Sequence, residues 1–325
     1  MKNIFIGIDV SKKNVDISTF KDQTYTSEVV VNKTKELTKF FKQFTNQKVL
    51  VAMENTGRYN FPLYEALAGF EFDVYVVHPI HIKRSIGLTR GKNDKIDAKR
   101  ICSFLQKNYS DLPQWKPNSK LVDEFKILLS ERKSLVKREA ALKKQVKELK
   151  VINSKVINKL ITSKGKQIKG LSKNIVEVEK MIVAHLEKDH TLKEDVERIK
   201  SIPGVGKVVA WTLLAKTNGF TRLLDPRKLG CFAGVVPFEQ QSGTSIKTKP
   251  RVSKMADMEL KSVLQMSAMR SVRLKDSSLR VYYERKLAEG KNKMSILNAV
   301  RNKIIHLALA LVNNKTYYKF NLQLS

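Results

Sequence analysis

Cysteine is scarce in this chain of 325 residues: Cys102 and Cys231 are the two thiols, and neither has a second Cys or a His at metal-ligand spacing. Both fall in segments that read as helix or helix edge, as reduced core residues do. Long apolar runs are missing as well. No stretch approaches the roughly 18 consecutive apolar residues of a membrane span, and MKNIFIGIDV reaches an acid too early for a signal peptide. Those two absences predict a cytoplasmic protein with no membrane partner. There is no G-K-[ST], which removes a nucleotide-binding P-loop. The deficit with the largest consequence is in acid: 31 Asp and Glu face 62 Lys and Arg, a formal charge of +31. Solubility requires far less, and a polyanion is the natural partner. The cations are spread along the whole chain and not gathered on one amphipathic helix, which favours nucleic acid over a membrane surface.

What is present begins with enough apolar material for real cores. Hydrophobic residues make up 42% of the chain, and its length allows two or three domains. Composition and pattern divide it into residues 1–112, 113–197 and 198–325, an α/β domain followed by two mostly helical ones.

In the first segment Ile4 to Val10 form a short, nearly continuous apolar run, as in a strand buried on both faces, and Gly7 allows a close backbone approach. Val15 to Phe20 alternates, and Glu28 to Val31 adds a third β-rich run, which together read as a meander. Leu37, Phe40, Phe41 and Phe44 have helical spacing. Lys48 to Met53 returns to a buried strand, Pro62 to Leu67 to a helix closed near Gly69, and Phe72 to Val77 to a strand ended by His78-Pro79. The order β-β-β-α-β-α-β, then helices, is that of an RNase H-like nuclease fold.

Acids punctuate this order. Asp9 ends the first strand and Glu54 the fourth, while Asp94 and Asp97 in GKNDKIDAKR are three apart and share a face on a helix. Carboxylates at neighbouring strand ends and one helix start converge on a crevice, where hard divalent cations serve phosphoryl transfer by activating an attacking oxygen and stabilising a leaving one. Each acid also has a plainer account: Asp9 as a turn residue, Glu54 as a helix N-terminal charge, Asp94 and Asp97 as solvated residues paired with Lys or Arg. Asp16 and Asp73 are set aside, the first inside an alternating strand and the second at a strand start.

P-Q-W-K-P at 113–117 reads as a linker. Beyond it leucine recurs every seventh residue from Leu121 to Leu149 with Val156 in phase, and the alternate positions carry Phe125, Arg132, Glu139, Val146, Asn153 and Leu160. That is a coiled-coil helix with a half-polar seam. Gly165 and Gly170 are expected to break it, and Leu171, Ile175, Val178, Ile182 and Leu186 to form a second helix returning along the first. The hairpin either closes on itself or joins another subunit, giving a dimer or tetramer.

In the last segment IPGVGKVVAWTLLA reads as two helices around a Gly-rich turn, a helix-hairpin-helix pattern in which backbone N–H groups and Lys207 meet a DNA phosphate; a purely structural turn is the alternative. Ser242-Gly243 then falls in a polar, irregular loop with Lys247, Lys249, Arg251 and Lys254. A hydroxyl amid four cations suits attack on a phosphodiester, although no His lies nearby to act as base.

These residues, in order and spacing, resemble a known family. GIDVSKKNVDIS, MENTGRYN and GKNDKIDAKRI are similar to the three blocks of the IS110 insertion-sequence transposases, and IPGVGKVVAWTLLA, CFAGVVPFEQQSGTS and GKNKMSILNAVRNKIIHLALALV resemble that family's second domain. The resemblance implies a RuvC-like domain in which Asp9, Glu54, Asp94 and Asp97 bind Mg²⁺ (or Mn²⁺), and a transposase domain in which Ser242, or failing it Ser245, links covalently to DNA. It also implies donor and target DNA as substrates, a structured noncoding guide RNA that pairs with both, and nucleoid association when DNA is bound. Two departures stand out: Asn93 where threonine is usual, and Met255-Ala256-Asp257 where the family tends to a more basic, glycine-containing turn.

Overall fold

The computed structural model describes residues 3–54, 57–86, 93–242, 246–253, 255–275 and 277–320, and divides into two compact units, 1–117 and 118–325. The first is built on a five-stranded sheet. Strands β1 (Ile4–Val10), β2 (Asn14–Lys21) and β3 (Thr24–Val31) form an antiparallel meander, and β4 (Val49–Glu54) and β5 (Asp73–Val77) extend it in parallel beyond β1, in the order β3-β2-β1-β4-β5. Helices α1 (Thr34–Lys42) and α2 (Phe61–Leu67) cover one face, where Leu37, Phe40, Phe41 and Leu63 meet Ile6, Ile8, Val51 and Met53. Helix α4 (Asp94–Asn108), preceded by α3 (Pro79–Ile86), covers the other, setting Ile101, Phe104 and Leu105 against Leu50, Ala52, Tyr75 and Val77.

Trp115 closes this unit. Its N–H donates to the Val74 carbonyl at 2.6 Å and its ring stacks on Tyr64 at 4.7 Å, so the P-Q-W-K-P stretch belongs to the sheet unit up to Pro117 and is not a free linker beyond 112.

In the second unit α5 (Lys120–Leu149) and α6 (Lys155–Leu186) lie side by side. Their contacts run antiparallel: His185 reaches the Leu121 carbonyl, Arg132 pairs with Glu179, Glu139 accepts from Ser172, and Lys164 donates to Gln145. The hairpin therefore closes within one chain. Its turn is not at the glycines, because α6 runs straight through Gly165 and Gly170. A glycine inside a helix costs only about 1 kcal/mol, which a long packed helix absorbs. The chain turns instead at 150–154, where Ser154 takes an extended conformation before α6. Val156, in phase on paper with the α5 leucines, and Leu160, in phase with the alternate positions from Phe125, therefore fall on the other helix and are exposed.

The hairpin base joins a core made by the remaining helices. Helix α7 (His190–Lys200) leads through a turn into α8 (Lys207–Lys216), which is buried on most sides through Val209, Ala210, Trp211, Leu213 and Leu214. Around it stand α9 (Pro226–Phe232), α10 (Met258–Ser271), α11 (Ser278–Ala288) and α12 (Lys293–Asn313), with Val122, Phe125, Ile182 and Leu186 from the hairpin. Helix α12 is long and apolar enough to cross a membrane by length and mean composition, although polar residues such as Asn298, Arg301 and Lys303 interrupt its apolar run. Half of that window is buried in the unit, which accounts for its apolarity as core. Between α9 and α10 comes a two-stranded ribbon, β6 (Pro237–Ser242) and β7 (Ile246–Val252), with a register shift between Phe238 and Gln240.

Both departures from the family pattern have local reasons. Asn93 caps α4, its side-chain oxygen accepting from the Lys95 N–H at 3.1 Å, a role asparagine fills as well as threonine. Asp257 caps α10 through the Leu260 N–H and pairs with Lys216 at 2.8 Å.

Candidate active site

Strand parity gathers the acids. In β1 the even-numbered Ile4, Ile6, Ile8 and Val10 face α1 and α2, so Phe5, Gly7 and Asp9 face α4. In β4 the matching set is Leu50, Ala52 and Glu54, and in β2 it is Asp16, Ser18 and Phe20. Asp9 pairs directly with Asp16 across the antiparallel ladder, and the parallel ladder Ile8↔Met53 places Glu54 in the next row beside it. Three carboxylates thus line one edge of one face, on three adjacent strands.

Helix α4 brings two more. Its first turn carries Asp94 and Asp97, and it reaches the sheet because Gly7 has no side chain: a methyl there would collide with the backbone N of Cys102 and the carbonyl oxygen of Ala98. Cys102 is buried beneath that contact, with its Sγ 3.3 Å from the Phe5 carbonyl, and burial pushes the thiol up to about 12.

Electrostatics registers the crowding. Asp9 is pushed from 3.8 to about 6 by burial first, then by the charges of Asp94, Asp97, Glu54 and Asp16. Asp16 is raised by burial and by Asp94. Asp97 accepts a hydrogen bond from Arg100 at 2.8 Å, and the Glu54 carbonyl accepts from Asn60 at 2.9 Å. Asp9 therefore lies within reach of the charges of the three other expected acids and of a fifth, Asp16. An alternating strand does not by itself mark Asp16 as a ligand, yet that alternation turns it to the same side as Asp9. A short turn after Val10 followed by a second strand was the signal that could have found it.

As the side chains lie, no three His, Cys, Asp or Glu among the described residues stand close enough to ring one ion. The chemistry of the set still fits a hard divalent cation: every donor is a carboxylate oxygen, and a positive charge placed among them relieves the repulsion that raises Asp9.

In the second unit Ser242 ends β6, its backbone paired with Ile246, so this part of the expected irregular loop is strand, while Gly243 lies outside the described residues. Ladder pairing overrides a polar composition there. Lys247 and Lys249 belong to β7, and exposed Arg251 is paired with Phe238. Ser245 and Lys254 lie outside the described residues. Lys207 opens α8, but its ammonium is bonded to Glu179 at 2.7 Å and sits 5.6 Å from the centre of the Trp211 ring, so its charge is already partnered. In the turn before it, Gly204 has φ +86° and a side chain there would strike Ser271, a structural need for glycine independent of any ligand.

Comparison with known proteins decides the family. The model of DEDD-type IS110 transposases matches residues 6–150, covering all five acids, and that of the transposase IS116/IS110/IS902 family matches residues 196–284, covering the β6–β7 ribbon. The chain belongs to the IS110 family of transposases. Its enzymes process DNA, and their DEDD character goes with divalent metal use. Among relatives, the pilin gene-inverting protein of Moraxella bovis is 24% identical over 327 residues, covering 96% of each chain. The transposase for insertion sequence element IS1111A of Coxiella burnetii is 24% identical over 348 residues, with 98% of this chain and 92% of that one covered. An uncharacterized 43.6 kDa protein of insertion element IS110 from Streptomyces coelicolor is 29% identical over 121 residues, 37% of this chain and 29% of that one.

Proposed function

We propose that this transposase moves its insertion sequence by cutting and rejoining DNA through a serine-linked intermediate, served by Mg²⁺ or Mn²⁺ in a RuvC-like N-terminal domain and directed by a structured noncoding RNA. The observation that carries the reading is the carboxylate row, in which Asp9, Glu54, Asp94 and Asp97 share one charged neighbourhood. These four would hold the cation. When bound it would supply Lewis-acid stabilisation of oxygens at the reacting phosphate.

The remaining chemistry belongs to the chain. The Ser242 oxygen attacks a DNA phosphorus, forming a serine–phosphate ester and breaking the bond to the leaving deoxyribose oxygen, which takes a proton. A hydroxyl of the recipient strand then attacks the same phosphorus and expels the serine, which recovers its proton, so no phosphodiester energy is lost. Lys247, Lys249, Arg251 and Lys254 steady the phosphate and its developing charge. A helix-hairpin-helix contact to backbone phosphate at the turn before α8 requires Lys207 to exchange its Glu179 partner for the phosphate. The name of the Moraxella relative fits this scheme, because inversion, like insertion, requires strands to be cut and resealed.

Sequence choice falls to RNA pairing with donor and target DNA, and the +31 charge supports a protein that holds two kinds of backbone. Self-association into a dimer or tetramer runs through the helical hairpin as a coiled coil, supported by exposed Val151, Ile152, Val156, Leu160, Val176 and Met181.

The test is to trap the adduct. Wild-type protein with a donor substrate and Mg²⁺ yields a protein–DNA species stable to denaturant; Ser242→Ala yields none and exchanges no strands, while Ser245→Ala keeps both. Cleavage that survives in Ser242→Ala without an adduct makes the enzyme a water-using RuvC-like endonuclease. Nucleic-acid binding without cleavage or exchange in the wild type, and unchanged in Asp94→Asn, reduces it to a basic nucleic-acid scaffold. Sequencing RNA that copurifies with the protein tests the guide, which must derive from DNA flanking the gene.

A further inference from the structure

Helices α11 and α12 enclose a groove of about 610 Å³ that no role above uses. Tyr282 forms its floor, partly buried against the core of the unit. Two cations stand at that ring, the Lys303 ammonium 4.4 Å and the Arg285 guanidinium 5.8 Å from its centre, and exposed His306 lies one helical turn beyond Lys303. No acid lines the groove. Elsewhere on α11 the cations are matched, Arg280 with Glu284 and Lys286 with Glu289, each at 2.7 Å. Arg285 and Lys303 have no ion pair among the described residues, and α12 contains no Asp or Glu over its 21 residues. The asymmetry is local: charge is compensated on the outer side of α11 and left open toward Tyr282.

An aromatic face flanked by uncompensated cations matches the repeat of an unpaired nucleic-acid strand, a base beside phosphates. A duplex keeps its base faces stacked inside, so the ring is of use only to a strand that has opened. Lys303 occupies the ring in the free protein through a cation–π contact worth only about 0.5–1 kcal/mol at an exposed site. Its flexible stem lets the ammonium swing to a phosphate as a base takes the ring. We propose that this groove binds single-stranded DNA of the substrate, with a base on Tyr282 and adjacent phosphates on Arg285 and Lys303. The proposal rests on membership of a DNA-processing family and not on Ser242 or the carboxylates, so its test omits divalent ions and fails or succeeds independently of the serine-linked mechanism.

The full-length protein is titrated with single-stranded DNA carrying 5-iodouracil, across a range of salt. Irradiation is expected to crosslink the DNA to the peptide containing Tyr282. The double variant Arg285→Gln, Lys303→Gln is expected to flatten the slope of log affinity against log salt by about 1.4, two contacts at about 0.7 each. Tyr282→Leu should weaken binding about tenfold with the slope retained. If Tyr282→Leu impairs folding, the exposed Arg285 and Lys303 variants and the crosslink still decide. No crosslink at Tyr282 together with an unchanged slope overturns the proposal. So does a 5-iodouridine RNA of the same sequence that crosslinks there when the DNA does not, which would assign the groove to RNA.

Discussion

In the sheet unit, like charges are forced together: Asp16, Asp9 and Glu54 line adjacent strand ends, Asp94 and Asp97 face them from α4, and Asp9 is pushed up to about 6 in consequence. In the helical unit, unlike charges are matched. Glu179 sits between Arg132 and Lys207 at 2.7 Å from each, and Lys216 binds Asp257 at 2.8 Å and Glu259 at 3.1 Å. Burial works against the Glu179 charge, but the hydrogen bonds from Lys207 and Arg132 outweigh it and hold the carboxyl below its usual value. The first arrangement opposes folding and has to be held by a rigid frame, while the second assists folding. A group of charges that destabilises its own unit is the one with work for a ligand.

Substitutions can break or sharpen this contrast. The largest expected effect is on chemistry: Asp9→Asn should lower strand exchange by at least about 100-fold with the fold retained, measured by product formation with Mg²⁺. Next, Gly7→Ala should destabilise the sheet unit by about 2–3 kcal/mol, since the new methyl meets backbone of α4 and no yielding side chain; denaturant unfolding reads it. In the helical unit Glu179→Gln leaves Arg132 and Lys207 facing one another and should cost about 2 kcal/mol. An equal cost from Asp9→Asn would erase the contrast.

The fourth expectation concerns pH. Asp9 has a folded value of about 6 against 3.8 for a free carboxyl, so below about pH 4 both states keep the proton and no penalty arises. Between about pH 4 and 6 the unfolded chain releases this proton while the folded protein retains it, so stability falls across that window and levels off above 6. Metal-free Asp9→Asn should therefore match wild type near pH 4 and exceed it by about 1 kcal/mol at pH 8, after allowance for screening. The smallest effect is at the hairpin: Val156→Ser, at a site 73% exposed, should change unfolding by less than about 0.5 kcal/mol while weakening self-association seen by sedimentation.

Much of the fold was legible because period carries it. The apolar runs at Ile4–Val10 and Val49–Glu54 and the helical spacing of Leu37, Phe40 and Phe41 named their elements directly. The acids at the ends of β1 and β4 and at the start of α4 were legible for the same reason. What escaped depends on contacts distant in sequence. Asp16 is beside Asp9 only through strand register, and Lys207 is neutralised by Glu179 28 residues away. The hairpin turn escaped for a different reason: a continuous heptad reads through 150–154 as though the helix did, and the penalty of Gly165 and Gly170 is too small to stop one. The β6–β7 ribbon escaped because its polar composition hides a ladder that backbone hydrogen bonds supply.

The glycine contact at Gly7 also makes the protein its own gauge. Cys102 lies on α4 under that contact, buried and with its thiol held in the unreactive form, whereas Cys231 in the other unit is only partly covered. With one thiol in each unit, a labelling reagent keeps two clocks. Cys231 should report ordinary surface access, and Cys102 the rate at which α4 lifts from the sheet, carrying Asp94 and Asp97 away from Asp9.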